Sequence, residues 1–381
     1  MAQDLFKIGI IGAGPAGCCC AYFAKKRGYD ITLIDFSNPL RTILPTGGGR
    51  CNLAYSEFDF KELAKNYPRG EKFLYSVFSQ FATGDTLSLF NEIGIDTYIQ
   101  ENGRIFPVSD SSNEVRDKFL EKIKDVKFIK EKALRIETSN FGFKVITDMN
   151  SYSFDKLVYA VGGRSGYDMI KRLGVTTIEP KPSLVGLVTK ENFSKLMGIV
   201  LKNVRCKDIG YTDDLLFTHF GISGPLIYKT SSIMARKNMP YSLNFDLLPD
   251  LKNLQSILNS NPHKFIKNVL SDYLPLRFSE YLLSNLSINQ NTKSHQINGK
   301  IRDLILDKIH NYTVTIRSTQ KDGETVTAGG VSLDKINPKT MESKEVEGLY
   351  FCGEVIDVDG FCGGFNLQNC WSTAYVTAQN L

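Results

Sequence analysis

Four residues near the N-terminus have the types and spacing to hold a dinucleotide. Gly12, Gly14 and Gly17 form GxGxxG inside "FKIGIIGAGPAGCCCAYFAKKRGYDITLIDF", and Asp35 follows 21 residues after Gly14. The first glycine makes a tight turn, the second lets backbone approach a pyrophosphate, and the third lets a helix pack closely on a sheet. A helix opening at Pro15 and Ala16 points its N-terminal amides at the phosphates. Asp35, followed by Phe36, closes a second apolar run, where a carboxylate accepts from ribose hydroxyls. Chemistry of this kind needs a strand before the glycines, a helix after them and a second strand ending at the acid. The apolar runs around the motif supply all three.

A second glycine-rich stretch, "LPTGGGRCNLAYSE" at 44–57, has no such helix behind it. It lacks the GK[ST] of a kinase-type phosphate loop. Gly47, Gly48 and Gly49 are costly in a folded chain unless backbone has to meet something. Bare backbone amides of this kind suit an anion. Arg50 supplies a permanent, fork-shaped cation for a phosphate or an anionic substrate. Cys51 lies beside it, and Asn52 both donates and accepts.

The GxGxxG motif does not separate NAD from FAD. The far end of the chain does. "FDKLVYAVGGRSG" is a buried strand running through Ala160 into Gly162 and Gly163, and "EGLYFCGE" is another at the C-terminus. A last strand returning to the first sheet suits an extended cofactor with a ring system to cover, which an NAD half-site does not require. Glu354, after Gly353, lies just past this strand. Asp359 lies on the loop that follows, and Gly363 and Gly364 open a final helix. Its first amides, at Phe365, Asn366 and Leu367, favour negative charge in front of them.

Among other reactive side chains, His219 in "THFGISGP" is the candidate proton donor to a substrate; the plainer expectation is a histidine hydrogen-bonded inside a barrel. Cys51 and Cys362 raise the idea of redox thiols beside a flavin, but disulfide-exchanging flavoenzymes use close cysteine pairs and this chain has no CxxC. No cluster has metal-ligand spacing, and no metal is expected.

The composition frames the rest. The chain has 381 residues, 42% hydrophobic and 23% charged, with a net charge of +5, ordinary for a globular protein of two or three domains. Neither a basic run of nucleic-acid-arm type nor an apolar run of membrane-span length is present. "PAGC" at 15–18 faintly resembles a lipoprotein cleavage box, but the apolar stretch before it is broken by glycines. Eight unpaired-looking cysteines point to a reducing, cytoplasmic setting.

Taken in order, "GAGPAG", "GGGRCN", "GRIFPVSD", "LLFTHFGISGP", "TAGGVSLDKINPKTMESKEVEGLYFCGEVIDVDG" and "GGFNLQNCWSTAY" resemble the BaiN/YhiN-like flavoproteins, also described as NAD(P)/FAD-dependent oxidoreductases or aminoacetone-oxidase-family enzymes. The likeness covers the chain. It departs after "AVGG", where "RSGYDMIKRLG" is short, and at Cys362, where the family commonly has threonine. The resemblance implies an α/β fold: a Rossmann-like FAD-binding domain built from both chain ends, 1–185 and 325–381. Between them, 186–324 is expected to form a small β-barrel plus helices, the helical part at about 250–310. It implies that the segment past Asp35 doubles back along the dinucleotide, so that Arg41 and the bare amides of Gly47, Gly48 and Gly49 reach the pyrophosphate and ribityl chain. It also implies that Glu354 takes ribityl hydroxyls and that the amides of Phe365, Asn366 and Leu367 face the flavin edge that turns negative on reduction, and it adds Ala133 to the cofactor-binding set. The expected activity is hydride transfer between FAD and a small organic substrate, as C=C reduction or amine oxidation. NAD(P)H is expected at most as a visitor, since no second GxGxxG exists. No nucleic-acid partner is expected. The alternatives are an RNA-directed flavoprotein of the tRNA-modifying kind, which would show a basic, aromatic face on the insert, and a flavin-binding redox protein without turnover.

Overall fold

The computed structural model describes residues 6–139, 142–321 and 326–381. The chain divides into two compact units, one made of 1–181 with 326–381 and one of 182–325. The expected boundary between 324 and 325 lies outside the described residues.

The first unit is centred on a five-stranded parallel sheet. Its spatial order is Leu349–Phe351, Lys156–Tyr159, Lys7–Ile11, Asp30–Ile34 and Lys127–Ile129. Starting from Lys7–Ile11, the chain adds strands on one side and then returns to add the last two on the other. The order therefore reverses between Lys7–Ile11 and Lys156–Tyr159. In open α/β sheets, ligands bind outside the carboxyl ends of the strands at such a switch point. The residues after these two strands are Gly12–Gly14 and Ala160–Gly163.

Two helices cover one face. Pro15–Lys26 starts at Gly14 with Pro15 in its first turn and ends on Lys25 and Lys26, which suit the negative helix terminus. Phe365–Gln379 packs against it. Small residues make the approach possible: Cys18, Cys19 and Cys20 are fully buried, and the Cys19 thiol reaches the Trp371 carbonyl at 3.9 Å. Trp371, also fully buried, stacks on Phe119 and meets Phe90 edge-on. Gly9, inside the first strand, is required because a side chain there would lie 2.5 Å from the Phe154 ring. Phe154 ends the antiparallel sheet of Ala133–Ser139, Gly142–Thr147 and Ser151–Phe154. A second small sheet pairs Arg104–Pro107 with Ala54–Tyr55 and Thr97–Ile99.

The second unit is a closed six-stranded barrel. Its strands run in the order Leu187–Thr189, Gly221–Ser223, Tyr211–Phe217, Val200–Cys206, Tyr241–Asp246 and Tyr312–Thr319. Alternation fills the interior with Leu201, Val204, Phe217, Leu243, Phe245, Val314 and Ile316, each at most 1% exposed. Helices including Leu276–Asn285 and Gly299–His310 extend this core through Phe278, Leu282, Ile305 and Ile309. Asn298 caps the latter helix by accepting from Ile301 N at 2.9 Å.

Candidate functional site

The switch point is built from glycines that do three different jobs. A Cβ on Gly12 would lie 2.3 Å from the Ala160 carbonyl oxygen, and one on Gly17 would lie 1.8 Å from the Gly12 oxygen. Both are therefore set by packing inside the protein. Gly14 is not. Its φ of −76° is open to any residue, and a Cβ there would meet only Thr42 Oγ1, at 3.8 Å. Nothing within the chain demands glycine at 14, which leaves close approach by a ligand as the physical reason for it. Gly162 also has nothing within 4 Å of an added Cβ, but its φ of +81° already favours glycine there.

Asp35 closes this loop from the neighbouring strand. Its Oδ2 accepts from Ala13 N at 2.7 Å, and its Oδ1 from Ser37 N at 2.7 Å and Ser37 Oγ at 2.8 Å. A carboxylate has about four acceptor sites, so roughly one remains for a hydroxyl. Leu40 N donates to the Ala13 carbonyl at 2.8 Å, which folds the following segment back over the glycine turn. Phe36 is 66% exposed and Arg41 is exposed on a short 3-10 turn. Ala133 is half-buried four residues beyond Ile129, whose carbonyl accepts from Asp35 N.

The Gly47–Gly49 turn differs from the expectation of three free amides. All three glycines have positive φ, 58°, 71° and 88°, so the turn itself demands them. The side of Gly47 is taken by Phe106, 2.7 Å from an added Cβ, whereas Gly48 and Gly49 stay open. Two nearby amides are already spent, Gly49 N and Cys51 N both donating to the Thr46 carbonyl at 3.1 and 3.0 Å. Ser112 locks the turn from outside, its N donating to Gly49 O and its Oγ to Leu44 O, each at 2.9 Å. Arg50 lies over the Phe106 ring at 4.1 Å, with its Nε donating to Gly47 O, its Nη1 3.8 Å from Asp110 Oδ1 and 36% of its side chain exposed. Cys51 is buried, and burial pushes its thiol up to about 12. It stays protonated at neutral pH, which removes the redox-thiol idea for this residue.

Asn52 joins this turn to the C-terminal loop. Its amide nitrogen donates to Ala54 O at 3.1 Å and Ile105 O at 3.3 Å, and its oxygen accepts from Gly364 N at 3.1 Å. Gly364 thereby meets protein rather than ligand. A Cβ there would lie 2.5 Å from the Ala54 carbonyl oxygen, and its φ is +100°. The expectation that the bare side of Gly364 touches a flavin ring is corrected: that side faces the Ala54 strand.

Two further expectations change. Asp359, fully buried, is held bidentate by Arg69, with Nε to Oδ1 at 2.5 Å and a second contact from Nη2. Its carboxylate fixes the loop instead of presenting itself to a cofactor. Asn366 spans the same loop, accepting from Gly360 N and donating to Gly360 O. His219 is not inside the barrel; it is exposed on the turn before Gly221–Ser223, edge-on to Phe220, in the second unit.

The remaining residues converge. A Cβ on Gly353 would lie 2.6 Å from Ala16 Cβ, and one on Gly163 2.9 Å from Glu354 Cδ. Glu354 Oε1 accepts from Thr327 N at 2.8 Å. Phe365 is buried against Tyr55 and accepts at its carbonyl from Tyr67 Oη at 2.6 Å; Leu367 is half-buried. Neither Pro15–Lys26 nor Phe365–Gln379 has an acidic residue in its first turn or a side-chain cap. Both helices thus keep orphan amides for an anion. Asn369, 2% exposed, leaves its Oδ1 without a partner among the described residues, while its Nδ2 faces Gly353 O at 3.4 Å.

These features fit a dinucleotide with a reducible ring: an open glycine turn, an acid with acceptor capacity left, and uncapped helix starts. Sequence reasoning missed Thr42, Phe106, Tyr67 and Arg69. Only Phe106 had a signal, as part of "GRIFPVSD".

Over residues 6–380 the chain matches the family described as HI0933-like protein Rossmann domain. It is 30% identical over 404 residues to the ribosomal RNA dihydrouridine synthase of Escherichia coli (strain K12), covering 100% of this chain and 98% of that protein. It is 28% identical over 410 residues to the 3-dehydro-bile acid delta(4,6)-reductase of Clostridium scindens, covering 98% of each. Among solved structures, a flavocytochrome c3 fumarate reductase in its open conformation aligns with a TM-score of 0.53 at 13% identity, covering 99% of this chain and 78% of that one. No helix among the described residues is long and apolar enough to cross a membrane. The chain belongs to the HI0933-like Rossmann family and is an FAD-dependent oxidoreductase.

Proposed function

We propose that this member of the HI0933-like family reduces a carbon–carbon double bond conjugated to a carbonyl, and that the bond is the C5=C6 bond of uracil in RNA. The two relatives differ in substrate size but share a bond type. Dihydrouridine arises by adding two hydrogens across C5=C6 of uracil, which is conjugated to the C4 carbonyl. A 3-oxo steroid with double bonds at positions 4 and 6 is conjugated in the same way. Both names describe reductions, which favours this arm over amine oxidation.

One observation favours RNA over a free small molecule. Residues 182–325 carry 18 Lys and Arg against 12 Asp and Glu, a net +6, while the rest of the chain, with 28 against 29, carries −1. The net positive charge of the protein thus resides in the inserted unit. A net positive charge confined to one unit favours a polyanionic partner for that unit. This revises the small-molecule expectation drawn from the motifs alone.

In the reaction, a hydride adds to the carbon far from the carbonyl and a proton to the near one, with negative charge developing on the carbonyl oxygen between the two events. FAD, when bound, supplies the hydride. The chain's own residues hold and orient. The Gly12–Ala16 turn and Asp35 are suited to the adenosine half, with Gly48, Gly49, Gly162, Gly353 and Glu354 along the rest. The uncapped start of Phe365–Gln379 stabilises nearby negative charge by about 0.3–1 kcal/mol. Arg50, half-buried on Phe106 and loosely paired with Asp110 at 3.8 Å, is the cation that a phosphate or the developing oxyanion would engage. Electrons come from NAD(P)H acting as a visitor.

A small conjugated enone is the second reading, carried by the likeness to the bile-acid reductase. The two are separated by deleting the gene and measuring dihydrouridine in ribosomal RNA by mass spectrometry. Loss of one dihydrouridine supports the RNA reading, and an unchanged content removes it.

A further inference from the structure

We infer that the groove beside helix Leu276–Asn285 in the inserted unit is a binding site for single-stranded RNA, a site that rests on the RNA reading above. The groove is a shallow one, open to solvent, of about 600 Å³, and lies wholly within this unit. Lys195 and Arg277 stand on its wall. Arg277 Nη2 donates to the Lys195 carbonyl, which anchors the guanidinium against the Lys195 backbone. Among the described residues neither has a carboxylate partner. Glu280, the one acid on the wall, is already engaged by Lys267 at 3.5 Å. The charge left facing the groove is positive.

The rest of the lining suits bases. Asn285, Asn289 and Gln290 present amides, which donate and accept as a base edge requires. Gln290 Oε1 is buried with no hydrogen-bond partner among the described residues, an acceptor awaiting a donor. Tyr281 sits at the groove with Leu196 and Ile288, while Met197 and Leu276, the chain neighbours of this wall, are 56% and 46% exposed. Cations in a row with apolar and aromatic surface are how sequence-tolerant single-strand sites work: the charges track phosphates and the flat groups take bases. Duplex RNA would present its bases already stacked and paired, and gains nothing from the amides.

The test is binding of a fluorescein-labelled oligouridine to the FAD-loaded full chain across a salt series, with a duplex RNA of equal length as control. The double variant Lys195→Gln with Arg277→Gln is compared with Lys195→Arg with Arg277→Lys, which keeps both charges. We expect the wild type and the charge-keeping variant to bind the single strand more tightly than the duplex. The neutral variant should bind the single strand roughly 10-fold more weakly, with the log–log salt slope reduced by about 1.4, two phosphates at ~0.7 each. FAD content and circular dichroism should match the wild type. If the wild type binds and the neutral variant keeps its affinity and slope, the groove is not the site, whatever becomes of the RNA reading. If the wild type binds neither RNA, the RNA reading itself fails and the site falls with it.

Discussion

The side-chain oxygen of Asn52 accepts from the backbone nitrogen of Gly364 at 3.1 Å, tying the first glycine-rich turn to the start of the last helix. Trp371 repeats the tie one residue on, its Nε1 donating to the Leu53 carbonyl at 3.0 Å. The two halves of the FAD unit, far apart in sequence, are therefore fastened at the site itself. Asn52→Ala removes three hydrogen bonds and leaves partly buried backbone groups without a side-chain partner. We expect a loss of about 1–3 kcal/mol in unfolding free energy, together with weaker FAD retention, measured by denaturant titration and by flavin absorbance after gel filtration.

The three motif glycines separate by mechanism. Gly14→Ala meets only Thr42 Oγ1, so the protein without cofactor should unfold at the wild-type midpoint while its FAD affinity falls. Gly12→Ala and Gly17→Ala place a Cβ against backbone at 2.3 and 1.8 Å, and should cost about 1–3 kcal/mol even without FAD. Equal stability loss in all three would assign Gly14 to packing as well.

Arg69 and Asp359 form an ion pair whose side chains are 11% and 0% exposed. Removing the guanidinium from a buried carboxylate is strongly unfavourable, so Arg69→Ala should cost about 3–5 kcal/mol. The double variant Arg69→Ala with Asp359→Ala should recover part of that loss. Thermal unfolding of the three variants decides it; strict additivity would deny the coupling.

Cys51 gives a pH dependence of fixed sign. Its folded value is raised to about 12, above the usual thiol range, because burial penalises the thiolate. The stability it contributes is complete below the unfolded value near 9 and is lost as pH rises through 9 toward 12, since the unfolded chain sheds the proton first. Cys51→Ala should flatten the fall of unfolding free energy between pH 9 and 10.5. Under native conditions at pH 8 a thiol reagent should label Cys362, the exposed cysteine, while Cys51 and the other six buried thiols react only on unfolding.

The fold class was legible because glycine spacing and apolar runs are local. Gly12 and Gly17 announce close backbone contacts, the run at 349–351 announces a parallel strand, and alternation at 241–246 and 312–319 announces barrel strands. What stayed hidden was set by partners distant in the chain. Nothing near Asp359 signals that Arg69 will bury it, and nothing near Gly364 signals that Ala54 occupies its open side. His219 sits in a suggestive motif yet lies on an exposed turn, because a turn between barrel strands exposes whatever it carries. The charge of the insert was legible too: the expected span 186–324 already carries the same net +6, which the net +5 of the whole chain conceals until the segments are counted apart.

The central claim is that reduced flavin on this chain passes hydride to uracil in RNA, and single-turnover reoxidation tests it most directly. Protein loaded with FAD, reduced under anaerobic conditions and freed of excess reductant, is mixed with ribosomal RNA transcribed in vitro. Flavin absorbance is followed and the RNA is digested for mass spectrometry. The account predicts reoxidation in step with the appearance of one uridine heavier by two hydrogens, and none with a transcript lacking that uridine. Flavin that stays reduced in the presence of RNA, yet is reoxidised by a small conjugated enone, would contradict it.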